Sequence, residues 1–173
     1  MFIPLHLLEM FFSYSLIYMA TKQQWGSITW ILLHTLAEKI KEDCFVKHRD
    51  YLIGLVPKIC MVLPCPSCSA HCTQYVKKIR MQNIKTKGDY ITFLNQFHNT
   101  VNQRLRKPMV TLRECREKYQ KARLIKIISM FVAVFSMKDA SPNLMTNNMY
   151  KQRFLTQFKE DIKEKLVDFD LTV

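Results

Sequence analysis

The 173 residues are enough for one domain with a small appendage, and a 49% hydrophobic content allows a sizeable buried core. Only three glycines are present, which excludes the glycine-rich dinucleotide loop of Rossmann proteins and favours helices joined by short loops. The net charge of +12 is concentrated between Lys77 and Lys126, where 14 Lys and Arg residues accompany three acidic residues. This segment indicates a solvated basic face or a surface for nucleic acid, an anionic membrane or a phosphorylated cofactor.

Residues 1–20 are apolar, but they lack a basic start and Glu9 interrupts them. A cleaved signal peptide is therefore not expected. The uninterrupted part, residues 10–20, is short for a membrane span, so a membrane anchor or interfacial helix stays an alternative. Met19 is an alternative start, because all the motifs described below follow it.

Apolar residues recur at helical spacing through most of the chain. The helices predicted for the first half cover residues 27–41, 46–61 and 66–79. Ser27 is expected to cap the first of these helices. Gly54 and Pro57 are expected to interrupt the second, and Pro66 suits the first turn of the third.

The helices predicted for the second half cover residues 89–106, 111–137 and 149–167. Pro108 ends the first of them, and Thr111 with Glu114 forms a capping box for the next. That helix is expected to continue through the apolar run 124–137. A turn is predicted at Ser141-Pro142-Asn143.

Six cysteines are too few for a disulfide scaffold in a chain of this length, so redox or metal chemistry is the better interpretation. The C-x-x-C pair Cys65 and Cys68 stands at a predicted helix N-terminus, where unpaired N–H groups stabilise a thiolate. A disulfide between them is therefore open to attack by a substrate thiol. The alternative is a zinc site built from neighbouring soft ligands: Cys60, Cys65, Cys68, His71 and Cys72.

Two further motifs flank the cysteine pair. W-G-x3-W-x3-H-x2-A spans residues 25–37, and H-N-x-V-N-x-x-L-x-K-P spans residues 98–108. Alone, the first fits a packed core and the second fits a buried polar stripe. In this order around P-C-x-x-C, the three motifs resemble the Erv/ALR family of FAD-linked sulfhydryl oxidases, and the resemblance runs from Trp25 to Tyr119.

The resemblance implies an all-α fold, a four-helix bundle plus a short fifth helix that holds FAD, assembled as a homodimer. Residues 21–122 would form this domain, behind the apolar segment 1–20 and ahead of a helical C-terminal extension, 123–173, of unknown role. Cys65 and Cys68 would be catalytic, with no metal. The FAD-binding residues that the resemblance implies are Trp25, Gly26, Trp30, His34, His98, Asn99, Val101, Asn102, Lys107 and Tyr119.

The implied reaction oxidises protein dithiols through the Cys65–Cys68 disulfide and FAD, with oxygen reduced to hydrogen peroxide. The implied partner is a small thioredoxin-like relay protein, and nucleic acid is not an expected partner. Leu63 before the P-C-x-x-C motif resembles the versions of large DNA viruses, which implies a role in virion assembly in the host cytoplasm or in the virion.

Two departures from the family pattern bear on this expectation. Asn95 stands where many members carry the first cysteine of a structural disulfide, which leaves Cys115 without an expected mate. No cysteine precedes Cys44 or follows Cys115, so a tail with a shuttle pair is not expected.

Two other functions stay open at this point. A basic, zinc-stapled nucleic-acid-binding module would explain the charge, but it leaves the tryptophans and the His-Asn motif unexplained. A membrane-associated structural protein would use residues 2–20 and 124–137, and it is compatible with an anchored oxidase.

Overall fold

The computed structural model describes residues 20–137 and 145–172. The predicted N-terminal anchor, the alternative start at Met19 and the turn at 141–143 lie outside these residues. Within them the chain is helical, and the one extended pairing is an isolated antiparallel bridge between Ile40 and Phe169. The all-α prediction is confirmed.

Helix α1 runs from Lys22 to Lys39. The prediction that it starts at Ser27 was wrong, because Thr21 already satisfies the first turn. Thr21 Oγ1 accepts the Gln24 N–H at 3.2 Å, and Gln24 Oε1 accepts the Thr21 N–H at 2.8 Å. This capping box adds more than one turn to the helix, and the added turn carries the first tryptophan of the sequence motif.

Helices α2 and α3 lead into and out of the cysteine pair. Helix α2 spans Phe45–Met61 and runs through both Gly54 and Pro57, so the predicted interruption is wrong. Its apolar face is buried in the core, and this tertiary packing outweighs the loss of one backbone hydrogen bond at proline. Helix α3 spans Pro66–Lys78 with Pro66 in its first turn, as predicted.

Helix α4 spans Lys87–Arg104 and the short helix α5 spans Leu112–Tyr119. The predicted capping box of α5 is confirmed, since Thr111 Oγ1 accepts the Glu114 N–H at 3.2 Å and Glu114 Oε2 accepts the Thr111 N–H at 2.8 Å. Helices α1 to α4, with α5 beside them, provide the four helices and the short fifth that the resemblance implied.

The apolar run after α5 is a separate helix, α6, spanning Leu124–Ser136. The chain turns at residues 120–123, so the expected continuous helix is wrong. Helix α6 packs along α1 and buries Leu124, Ile127, Phe131 and Phe135. The apolar character of this run is therefore explained by burial within the protein. In the described part of the chain, no helix has the length and hydrophobicity needed to cross a membrane.

Helix α7 spans Met145–Lys165 and buries Leu155, Phe158 and Ile162 in the same hydrophobic core as α1 to α4 and α6. A short 3-10 turn, Leu166–Asp168, follows it. The predicted division at residue 122 therefore does not coincide with a gap in the core, and the domain assignment itself stays a prediction.

Residues 167–172 form a clasp over the end of α1 and the start of α2. Lys39 Nζ donates to the Thr172 carbonyl at 2.7 Å, and the Asp170 N–H donates to the Lys39 carbonyl at 2.6 Å. The Asp168 carboxylate contacts His48 Nε2 at 2.6 Å and Lys47 Nζ at 2.7 Å. These two contacts lower the pKa of Asp168, led by the hydrogen bond from His48.

Candidate functional site

A cavity of about 750 Å³ lies between α1, α2, α3 and α4, and α5 closes one side. Its volume is within the range of cofactor and ligand sites. Its apolar wall comes from α2, the residues after it, and α4, through Val56, Ile59, Leu63 and Phe97. Eight of the ten predicted cofactor-binding residues share this cavity with Cys68, although they come from three separate stretches of sequence. These eight are Trp25, Gly26, Trp30, His98, Val101, Asn102, Lys107 and Tyr119.

A cluster of stacked rings links α1, α4 and α5 at the cavity wall. Trp30 stacks on His98 with ring centroids 4.2 Å apart and an interplanar angle of 8°. His34 stacks on Tyr119 at 4.9 Å and 9°. Nε2 of His34 lies 3.1 Å from Nδ1 of His98, so one ring donates and the other accepts. The spacing of Trp30 and His34 at i and i+4 puts both on one face of α1, and the tertiary fold brings His98 against them.

Both histidines of the cluster are held neutral at neutral pH. Burial, with the neighbouring His98 and Lys118, lowers the pKa of His34 from 6.5 to about 3. Burial, with Lys118 and Lys107, lowers the pKa of His98 from 6.5 to about 4. A neutral pair fits their mutual hydrogen bond, because one nitrogen must keep its lone pair. The positive charge at this site therefore comes from lysines and not from imidazolium.

Three lysines line the cavity: Lys22, Lys107 and Lys118. In the described part of the chain, none of them has a carboxylate partner. Lys107 is presented by a Schellman-type end of α4, in which the Lys107 N–H donates to the Asn102 carbonyl at 2.9 Å. Arg106 takes the left-handed position of this turn with φ 54°, where glycine is the usual residue. Unpaired cations around a cavity of this size suit a ligand that carries phosphates.

The cysteine pair is positioned by the start of α3. Cys65 and Cys68 form a disulfide with their Cα atoms 5.2 Å apart. Cys65 is the N-cap, and its Sγ accepts the backbone N–H of Cys68 at 3.3 Å. Cys68 lines the cavity, whereas Cys65 does not, and both are partly exposed. The disulfide thus has one sulfur toward the cavity and one on its outer side.

Gly26 leaves open space at the wall of the cavity. This glycine lies within α1 and needs no unusual backbone angle, so conformational freedom does not explain it. A Cβ built there would meet no protein atom within 4 Å, although the residue lines the cavity. The open space at Gly26, the lysines and the ring cluster together fit a flat, phosphorylated cofactor such as FAD.

Two of the predicted cofactor residues do not line the cavity. His34 stands behind Trp30 and His98 and supports the ring cluster. The side-chain amide of Asn99 is hydrogen-bonded to the loop after α4. Its Nδ2 donates to the Val110 carbonyl at 2.8 Å, and its Oδ1 accepts the Val110 N–H at 2.9 Å. Their roles toward a cofactor stay predictions, and in this structure both residues shape the wall from behind.

The departure at Asn95 has a structural counterpart. Nδ2 of Asn95 donates to Cys115 Sγ at 3.3 Å, and it also donates to the Val110 carbonyl at 3.0 Å. Cys115, which had no expected mate, is therefore matched by a buried amide across α4 and α5. A hydrogen bond therefore joins α4 and α5 at this contact.

Sequence reasoning missed several residues of the site. Lys118 was treated as part of a general basic segment, although its spacing next to Tyr119 on a short helix was a usable signal. Cys60 and Cys72, which the sequence suggested only as alternative zinc ligands, both line the cavity beside Cys68. The zinc alternative has no support, since no group of three or more His, Cys, Asp or Glu residues in the described chain is arranged to hold a metal.

The sequence matches the model of the Erv1/Alr family over residues 27–121. A protein of Invertebrate iridescent virus 6, named as an FAD-linked sulfhydryl oxidase, is 30% identical over 102 residues, which are 56% of this chain and 92% of the relative. A protein of the same description from Invertebrate iridescent virus 3 is 26% identical over 97 residues, covering 56% of this chain and 66% of the relative. The FAD-linked sulfhydryl oxidase ERV1 of Oryza sativa subsp. japonica is 30% identical over 89 residues, and the match covers only 45% of its length.

The fold is similar to the crystal structure of the yeast Erv1 core, with a TM-score of 0.53 at 19% identity. The similarity covers 58% of this chain and 85% of the yeast chain. At this identity the likeness concerns the fold, and it supports the helical arrangement described above.

Proposed function

The chain belongs to the Erv1/Alr family, and we propose from this premise that it is an FAD-dependent sulfhydryl oxidase acting on protein dithiols. The observation that carries the proposal is the disulfide Cys65–Cys68, whose Cys68 lies on the wall of a cavity of cofactor size. FAD, when bound, supplies a two-electron acceptor that oxygen can reoxidise. The basic nucleic-acid-binding alternative has no support from the comparisons.

The positions of the two sulfurs support different roles for Cys65 and Cys68. A substrate thiolate attacks Cys65 Sγ on the outer side, the Cys65–Cys68 bond breaks, and Cys68 leaves as a thiolate toward the cavity. A second substrate thiolate then attacks the substrate sulfur of this mixed disulfide and releases Cys65. The substrate is now a disulfide, and its two electrons are on the cysteine pair. The N–H groups of the first turn of α3 stabilise the released Cys65 thiolate, as the 3.3 Å contact from Cys68 N to Cys65 Sγ indicates.

The cavity residues have binding and positioning roles in this proposal. Lys22, Lys107 and Lys118 would face the phosphates of FAD, while Trp30 and His98 would offer flat surfaces to its rings. The neutral histidines keep positive charge away from the ring stack. Thus the cationic and aromatic contributions to binding come from different residues.

We further propose a small thioredoxin-like relay protein as the physiological dithiol, a homodimer as the assembly, and the host cytoplasm or the virion as the location. The support is the family and its viral relatives. A disulfide-forming enzyme in a reducing compartment would allow virion proteins to be cross-linked where thiols are otherwise kept reduced.

The absorption spectrum of the purified protein tests the function directly. We expect a flavin band that bleaches when dithiothreitol is added without air and returns when oxygen is admitted. The variant Cys68→Ser should keep the flavin band, but the band should no longer bleach. Its dithiol-dependent oxygen consumption should fall at least about 100-fold, because the cavity-facing thiolate is gone. Cys44→Ser, which changes a cysteine outside the cavity, is the matched control and should keep the flavin band, its bleaching and the oxygen consumption. A colourless protein that retains zinc would contradict the proposal.

A further inference from the structure

Two cysteines that the proposed reaction does not use also line the cavity. Cys60 is near the end of α2, and Cys72 is on α3, one helical turn after Cys68. They are 4% and 9% exposed, and both face the same cavity as Cys68. Packing of α2 against α3 places these two cysteines, 12 residues apart in sequence, on the wall of one cavity.

We propose that Cys60 and Cys72 are a second redox pair, which exchanges with the Cys65–Cys68 disulfide and closes as a disulfide between α2 and α3. The pair would store two further electrons beside the cofactor. In its oxidised form it would also staple the two helices that flank the cavity. The oxidant is the Cys65–Cys68 disulfide, so its regeneration in air rests on the oxidase function proposed above.

The electrostatics of the pair favour Cys72 as the nucleophile. The neighbouring Cys60 thiol, with the positive charge of Arg104 nearby, lowers the pKa of Cys72. The neighbouring Cys72 thiol, together with burial, raises the pKa of Cys60. Cys72 is therefore poised to be the thiolate, and Cys60 to hold the proton until its own turn to react.

The other two free cysteines lack this arrangement. Asp168 contacts the Cys44 thiol, and burial followed by this contact raises the pKa of Cys44. Burial also raises the pKa of Cys115, although Asn95 donates a hydrogen bond to its sulfur. Neither of them lines the cavity. Of the four free thiols, Cys72 alone combines a lowered pKa with a second cysteine and a neighbouring disulfide.

The exchange balances in two steps. The Cys72 thiolate attacks Cys68 Sγ, the Cys65–Cys68 bond breaks, and Cys65 leaves as a thiolate at the N-terminus of α3. Residues four apart on a helix are neighbours, and the first turn of α3 has to open locally to bring the two sulfurs into bonding distance. Cys60, after losing its proton, then attacks Cys72 Sγ and releases Cys68. One disulfide and two thiols have become a different disulfide and two thiols, and the two protons pass to Cys65 and Cys68 or to solvent.

Fragment mapping of the whole protein tests the proposal. The protein is reduced, reoxidised in air, trapped with N-ethylmaleimide in acid and cleaved with cyanogen bromide. Cleavage at Met19, Met61 and Met81 puts Cys60 on fragment 20–61, and it puts Cys65, Cys68 and Cys72 on fragment 62–81. We expect the two fragments to stay linked until they are reduced, with Cys44 and Cys115 carrying maleimide. Fragments that stay fully separate after reoxidation of a protein with normal flavin turnover would overturn the proposal.

Single variants identify the partners in the link. Cys60→Ser and Cys72→Ser should each abolish it, whereas Cys44→Ser, on the same fragment as Cys60, should leave it intact. A link that persists in Cys72→Ser would assign the bond to Cys65 or Cys68 and overturn the proposal. Anaerobic reductive titration gives a second measure: wild type should take up two more electrons than Cys72→Ser before reduction is complete, and equal uptake would contradict a second pair.

The design separates this proposal from the oxidase function. Diamide, a small-molecule thiol oxidant, is added to a parallel sample of reduced wild type. If the 20–61 and 62–81 fragments become linked with diamide in a protein without flavin turnover, the second pair stands and the oxidase function fails. If they stay apart even with diamide while turnover is normal, the oxidase function stands and the second pair is wrong.

Discussion

The cavity wall and the C-terminal clasp differ in whether their charged side chains have partners of opposite charge. In the clasp, Asp168 is matched by His48 and Lys47, and Lys39 reaches the Thr172 carbonyl and the Asp170 carboxylate. At the cavity, the lysines at 22, 107 and 118 have no carboxylate partner among the described residues. Charges matched within the fold hold elements together, whereas charges left unmatched around a cavity are available to a ligand. The clasp should therefore govern stability, and the wall should govern cofactor binding.

The largest expected effect on stability comes from the apolar anchor of the clasp. Phe169 is 2% exposed and belongs to the main core, so Phe169→Ala should lower the free energy of unfolding by about 3 kcal/mol. Leu171→Ala, two residues further on and 48% exposed, is the matched control and should change it by less than about 0.5 kcal/mol. Urea denaturation measures both. Unchanged stability together with weaker FAD binding in Phe169→Ala would contradict these separate roles of the clasp and the cavity wall.

The next largest effect is expected on the affinity for FAD, when charges at the cavity wall are reversed. Reversing Lys107 and Lys118 to Glu should raise the Kd for FAD by about tenfold for each charge, or about 100-fold together, because each cation faces a phosphate-bearing ligand at close range. The exposed lysines at 121 and 126, reversed together, are the control with the same change of net charge. Equilibrium titration of the apoprotein with FAD gives both constants. Equal weakening in the two double variants would mean that net charge, and not the wall, attracts the cofactor.

Two helical glycines, one at the cavity wall and one away from it, give a smaller expected effect. Gly26→Ala and Gly54→Ala each replace a helical glycine with open space around the new Cβ, so each should stabilise the apoprotein by about 1 kcal/mol. Gly26 lines the cavity and Gly54 does not, so only Gly26→Ala should weaken FAD binding, by about tenfold. Thermal unfolding and FAD titration are read side by side. Unchanged FAD affinity in Gly26→Ala would show that the cofactor does not approach this part of α1.

The ring cluster adds a pH dependence of the free energy of unfolding. His34 and His98 have pKa values lowered to about 3 and about 4, so between pH 6.5 and about 4 the unfolded chain binds protons that the folded protein does not. Their contribution to stability is complete above pH 6.5 and falls as the pH is lowered, by at most about 1.4 kcal/mol per pH unit for each histidine. His34→Asn should reduce this slope, whatever its effect at neutral pH. Urea denaturation across the window measures the slope, and an unchanged slope would mean that His34 is already protonated in the folded state.

Local signals in the sequence predicted most of the helices correctly, because their determinants lie within a few residues. Pro66 suits the first turn of α3, and Thr111 with Glu114 specifies the start of α5 whatever surrounds them. The predictions failed where two local signals competed. Thr21 outweighed Ser27 as the cap of α1, and the chain turned at 120–123 although the apolar pattern continued beyond it.

The site was predictable to the extent that its residues form spaced motifs. The three motifs named the cysteine pair and most of the cavity wall, and the match over residues 27–121 confirmed the family that they resemble. The motifs carried no information on Lys118 or on the separation of His34 and Asn99 from the wall. Those placements depend on how α5 and the loop at Val110 pack against α4, which is a tertiary contact.

By itself, the sequence determined the helical class, the capping box of α5 and the redox chemistry, since capping, periodicity and a C-x-x-C pair act over a few residues. Only the tertiary structure decided that Cys60 and Cys72 line the same cavity as Cys68, and that Asp168 contacts His48 across 120 residues of sequence. Such long-range pairs carry no local signature, because each partner alone is an ordinary buried or charged residue. Their chemistry arises when the burial of apolar faces on α2, α3 and α7 brings them together.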